Sequence, residues 1–201
     1  MAKQRGQQQA TNGGARSGKS RSKKRTGASR PKANRAPWIV GAVGVAALIA
    51  IPIGLEIARS ASLPGERFPS QGNRHVALGA NVPAYNSDPP TSGPHTNELA
   101  AWGTYEPGDA PHDQRLIHNM EDGGVVVWYR PAEDAAATNA RLAALEEVTA
   151  RYRRVVIVPR PDMPTDFAMT AWQRLQRFDA IDAEGMGAFL AAFEGIDHHV
   201  P

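Results

Sequence analysis

The amino-acid sequence predicts an α+β domain, a small antiparallel or mixed sheet with two packed helices, preceded by a single transmembrane helix and a disordered basic tail. Three observations carry that expectation. The run VVVWYRP (125–131) is β-branched and aromatic, which suits a buried strand. The stretch 132–153 sets Leu142, Leu145, Val148 and Tyr152 at the spacing of one helix face. No charged residue occurs between Ala36 and Leu55, and eleven of the 23 Lys and Arg residues precede that run.

Residues 1–36 contain no acidic side chain and are rich in Gln, Gly, Ser and Lys. Such a segment buries too little apolar surface to offset its ordering entropy, so disorder is expected. The remainder holds 12 basic residues against 20 acidic ones, so the high pI of about 9.4 belongs to the tail. That separation argues against a folded part that binds nucleic acid specifically. Attraction of the tail to anionic lipid is the expected polyanion contact. The chain has no cysteine, which excludes disulfides, thiol nucleophiles and thiolate zinc sites.

The span is expected at 37–58. Roughly 20 residues at about 1.5 Å each cover a hydrocarbon core of about 30 Å. Ten of the residues are Ile, Leu or Val, contributing about −3 to −6 kcal/mol to insertion. The preceding charges hold the N-terminus in the cytoplasm, which leaves the C-terminal domain extracytoplasmic at the cell membrane. A cleaved signal peptide is the alternative, with small residues at Ala58-Arg59-Ser60 and Ser60-Ala61-Ser62.

Residues 59–73 read as a short polar linker, 74–197 as the domain and 198–201 as a terminal tail. HVALGANVPAY, opened by His75, is expected to form one or two short strands around Gly79. DPPTSGPH is a stiff loop, because Pro89, Pro90 and Pro94 fix backbone angles, and it positions His95. GTYEPGDAPH is a turn-rich connection, after which RLIHNMEDGG leads into the strand VVVWYRP. A helix over 132–153 follows, then a buried strand, RVVIVPR. DFAMTAWQRLQRFD is expected as a third strand, paired with the second through the RPDMPT turn. DAEGMGAFLAAFEGI is a closing helix capped by Asp182, with Phe189, Leu190 and Phe193 on its apolar face. The order β–α–β–β–α gives helices packed on a sheet.

PPTSGPH (89–95), WGTYEP (102–107) and LIHNMEDGGVVVWYRP (116–131) together resemble the bacterial domain of unknown function family 3105. The upstream HVALGANVPAY fits the same pattern. The resemblance implies a membrane-tethered, extracytoplasmic bacterial domain whose activity is not established. In that family the second motif reads HxLEHG; here Met120 stands for Leu and Asp122 for the second His.

His75, His95, His118 and Glu121 form a candidate metal set, because imidazole and carboxylate suit a divalent metal such as zinc or copper. His118 and Glu121, three apart, share a face if the segment is helical and diverge if it is extended. Met120 offers a soft ligand for copper, or core packing. No HExxH is present. The competing reading has these histidines hydrogen-bonding backbone carbonyls and pinning segments together. His112 reads as a solvated loop residue, and His198 and His199 as mobile tail.

Ser92, His95, Trp102 and Tyr105 are the candidate ligand-binding residues, with Trp128 and Tyr129 as further groove-lining aromatics. Alternation on a strand sends Trp128 and Tyr129 to opposite faces, so at least one is core. A hydrolase would use Ser92 as nucleophile, His95 or His118 as base and Glu121 or Asp122 as orienting acid. Ser92 lacks a GxSxG elbow, and no catalytic residue is assigned. The leading expectation is therefore a module that binds a ligand or an unidentified envelope partner. Metal binding is the alternative, and hydrolysis stands behind both.

Overall fold

The computed structural model describes residues 62–199; the basic tail and the span expected at 37–58 lie outside the described residues. In chain order the elements are β1 (Glu66–Arg67), β2 (Gly103–Thr104), α1 (Asp113–Glu121), β3 (Val125–Tyr129), α2 (Ala135–Thr149), β4 (Val155–Pro159), β5 (Phe167–Ala171), β6 (Arg174–Phe178) and α3 (Ala183–Phe193). No helix among the described residues is long and apolar enough to cross a membrane. The six strands form one mixed sheet in the order β1-β6-β5-β3-β4-β2.

β3 is the inner strand on which both halves of the sheet meet. It pairs in parallel with β4, Val127 opposite Ile157, and antiparallel with β5, Val127 opposite Met169. Its five residues are all buried because both faces are covered. Val125, Val127 and Tyr129 meet Leu142 and Leu145 of α2 and Met186, Phe189 and Phe193 of α3. Val126 and Trp128 face the other way, against Leu116, Ile117 and Met120 of α1. The result is three layers, with each buried aliphatic or aromatic side chain worth roughly 1.5–3 kcal/mol.

Trp128 and Tyr129 thus take opposite faces, but both are core, and neither lines a groove. Their polar atoms are satisfied internally: Trp128 Nε1 donates to Thr170 Oγ1 at 2.8 Å, and the Tyr129 hydroxyl donates to the Tyr105 carbonyl at 2.9 Å. Burial pushes the Tyr129 hydroxyl pKa up to about 12, with Glu106 adding to the rise.

Several expectations need correction. The segment before β3 is a third helix, α1. His112, expected as a solvated loop residue, caps it by accepting from the Gln114 N–H at 3.1 Å, and Asp113 lies in its first turn. Leu116, Ile117 and Met120 then bury one helical face, so Met120 is packing and no soft ligand.

The stretch 166–179 is not one strand but the β5–β6 hairpin, and β5 pairs with β3 rather than with β4. Its turn sets Gln173 at φ 62°, where glycine or asparagine is usual. Both backbone groups of Gln173 are engaged: its N–H donates to the Thr91 carbonyl at 2.9 Å and its carbonyl accepts from Phe68 N–H at 2.9 Å. Tertiary hydrogen bonds hold a turn that local sequence does not announce.

HVALGANVPAY forms no strand beyond one parallel bridge, His75 with His95. Side-chain bonds replace a ladder there, with Gln114 Oε1 accepting from Gly79 N–H at 2.7 Å and Gln114 Nε2 donating to the Ala80 carbonyl at 3.1 Å. Finally, residues expected as linker belong to the fold. Glu66 and Arg67 pair with β6, and Gln71 N–H donates to Ser92 Oγ at 3.1 Å.

Candidate metal centre

The PPTSGPH loop is rigid for reasons beyond its prolines. Arg160, at the end of β4, holds Asp88 at 2.6 Å and Asp113 at 3.0 Å, tying the loop to the start of α1. Ser87 Oγ donates to Thr91 Oγ1 at 3.2 Å, and the Tyr85 hydroxyl donates to the Pro94 carbonyl at 2.8 Å. Burial pushes that tyrosine up to about 12, with Asp113 nearby reinforcing it. His95 is therefore delivered, fully buried, to a fixed point.

α1 supplies the other half. Because the segment is helical, His118 and Glu121 share a face. Asn119, between them, uses its amide on the Ala100 backbone, accepting from N–H at 2.9 Å and donating to the carbonyl at 3.0 Å. His75 arrives through its bridge to His95, and it alone of the four is exposed.

The four side chains meet. One ligand atom from each of His75, His95, His118 and Glu121 lies within 4.8 Å of all the others. Measured from Glu121 Oε2, His95 Nε2 is at 2.8 Å, His75 Nε2 at 3.5 Å and His118 Nδ1 at 3.9 Å. Zinc bonds of about 2.0–2.2 Å in a tetrahedron set donors about 3.3–3.6 Å apart, the span these separations straddle. The ring centroids form a near-equilateral triangle, with sides of 4.9, 5.1 and 5.2 Å.

The hydrogen bonding pins His95 to the loop backbone, as the competing reading expects, and leaves the cluster able to hold a metal ion. His95 Nδ1 donates to the Gly93 carbonyl at 2.8 Å, which fixes the ring with Nε2 2.8 Å from Glu121 Oε2. That pair is satisfied by one proton shared between the two atoms, or by coordination of both to a single metal ion. Glu121 Oε1 and His118 Nδ1 are buried without a hydrogen-bond partner among the described residues. A buried carboxylate is ordinarily paired or coordinating. Burial, followed by the neighbouring His95 and His75, lowers the His118 pKa against the opposing pull of Asp122 and Glu121. That ring is then neutral and ready to ligate at neutral pH.

The ligand-binding set is not brought together. Ser92 is fully buried, and its hydroxyl accepts from Gln71 N–H at 3.1 Å. Trp102 is exposed beside a groove walled by Thr104, Glu146, Thr149 and Tyr152, to which neither Ser92 nor His95 contributes. Tyr105 packs against the core and donates from its hydroxyl to the Ala101 carbonyl at 3.1 Å.

His198 and His199, expected as tail, are also held against the cluster. Gly195 N–H donates to the Gly123 carbonyl at 2.7 Å and His198 N–H to the Glu121 carbonyl at 2.8 Å. The His198 ring stacks on Trp172 with centroids 6.0 Å apart, and burial lowers its pKa. His199 Nε2 stands 3.6 Å from Glu121 Oε2. Nothing in the local pattern of IDHH marks this role; the signal lies in Gly123, whose missing side chain lets the C-terminal segment approach. A Cβ on Gly123 would meet Ile196 N at 2.8 Å.

Fold and cluster together define the class: an α+β domain with a buried histidine–carboxylate set able to hold a metal ion. Residues 75–199 match the family described as protein of unknown function (DUF3105), and the chain belongs to that family. The match begins and ends on histidines of the cluster. No curated protein and no solved structure matches the chain.

Proposed function

We propose that this chain is a membrane-anchored, extracytoplasmic domain that binds a divalent transition metal on His75, His95, His118 and Glu121. The observation that carries the reading is the convergence of three imidazoles on one buried carboxylate, with His95 held by Gly93 in the ligating tautomer. Three nitrogens and an oxygen without sulfur suit zinc or copper(II) and argue against a thioether copper(I) site, since Met120 lies in the core. The exposed edge of His75 leaves a route for the ion and for an outer ligand.

The anchor rests on the apolar run 37–58 and the basic residues before it. Exposed Leu78, Leu99, Trp102 and Ile196 offer apolar contact to an envelope partner, and in-cell crosslinking that recovered only free chain would count against that partner.

Elemental analysis and zinc titration of the full chain, extracted from membranes with detergent, test the reading. Wild type should retain zinc through desalting, and Glu121→Gln or His95→Gln should weaken binding at least tenfold. Equal affinity in wild type and both variants would remove the site, and release of the chain by alkaline washing would remove the anchor.

A further inference from the structure

His118 faces two groups of donors at once. Its Nδ1 looks toward Glu121 Oε2 and its Nε2 toward Asp122 Oδ1, each at 3.9 Å. On the second side His199 Nε2 lies 3.6 Å from Asp122 Oδ1, and ligand atoms of His118, Asp122 and His199 all fall within 4.8 Å of one another. These separations exceed hydrogen-bond reach, so the groups are gathered without bonding one another.

His199 repeats the device seen at His95. Its Nδ1 is engaged with Asp197 Oδ1 at 2.8 Å, which turns Nε2 toward the carboxylates of Glu121 and Asp122. The segment carrying it is fastened by the Gly195–Gly123 and His198–Glu121 backbone bonds and by the stack of His198 on Trp172.

We infer that His118 Nε2, Asp122 and His199 form a second divalent-cation position beside the first, completed by solvent on its exposed side. The inference rests on the reading of the first site, because His118 serves both. With both positions filled, the His118 ring carries a metal on each nitrogen, and its N–H proton passes to solvent. A protonated His199 would satisfy the same two carboxylates without a second metal, and stoichiometry separates these cases.

The test uses the full chain in detergent, stripped with chelator, reloaded with excess zinc, desalted and assayed for metal and protein. Two zinc ions per chain are expected, falling to one in Asp122→Asn and in His199→Gln. Cobalt loaded into those two variants should keep the absorption bands of the first site. One zinc per wild-type chain, unchanged by either substitution, overturns the second position and leaves the first standing. Two zinc ions that survive both substitutions also overturn it. A wild-type chain that holds none overturns both readings.

Discussion

Replacing Gly123 by alanine perturbs the junction between α1 and the C-terminal segment at one atom. Gly123 has φ +80°, so alanine there costs about 1–2 kcal/mol in backbone strain. The new Cβ would also lie 2.8 Å from Ile196 N and 2.9 Å from both Gly195 C and Ile196 C. Those neighbours are backbone and cannot swing aside, so the segment must move. Moving it breaks the Gly195–Gly123 and His198–Glu121 backbone bonds, each worth about 0.5–1.5 kcal/mol. The sum is about 2–5 kcal/mol. Gly79 is the control: its φ of +75° carries the same strain, but nothing lies within 4 Å of the added atom, so Gly79→Ala should cost only about 1–2 kcal/mol. Urea unfolding of the chelated protein measures both. Equal losses for the two variants would refute the claim that the glycine exists to admit the C-terminal segment.

Two further outcomes follow from buried groups. Asn119→Ala strips both partners from the buried Ala100 backbone and should cost about 2–4 kcal/mol in the same assay, a loss below about 0.5 kcal/mol contradicting it. Acid should destabilise the metal-free protein. The folded pKa values of His118 and His198 are lowered by burial, so below about 6.5 the unfolded chain binds protons that the folded chain refuses. Stability is then greatest above that value and declines as pH falls toward the lowered folded pKa values. His118→Gln should flatten the decline, and a urea midpoint that rises on acidification would contradict the assignment.

How far the sequence could be read depended on whether the deciding contacts were local. β3 and β4 announce themselves because strands covered on both faces are continuous apolar runs, and α2 and α3 because Asp134 and Asp182 cap them by accepting from Ala137 and Gly185 N–H. α1 is obscured by carrying His118, Asn119 and Glu121 on buried positions, where an amphipathic pattern has apolar side chains. The hairpin turn at Gln173 is set by bonds to Phe68 and Thr91, both far away in the chain. The grouping of His75, His95, His118 and Glu121 was suggested by residue type and stiff loops. The approach of His199 was not, since it follows from one glycine, Gly123, more than seventy residues upstream.

The donors come from segments far apart in a chain that has no cysteine, and that gives a bound ion a mechanical meaning. A cation joining His95 to Glu121 closes a loop of 26 residues, which by chain-entropy arithmetic removes about 3.5 kcal/mol of freedom from the unfolded state. Ligation from His75 and His199 would extend the cross-link almost end to end. Such a staple opens to chelators and acid and ignores reductants, so the domain's durability would follow metal supply rather than thiol chemistry.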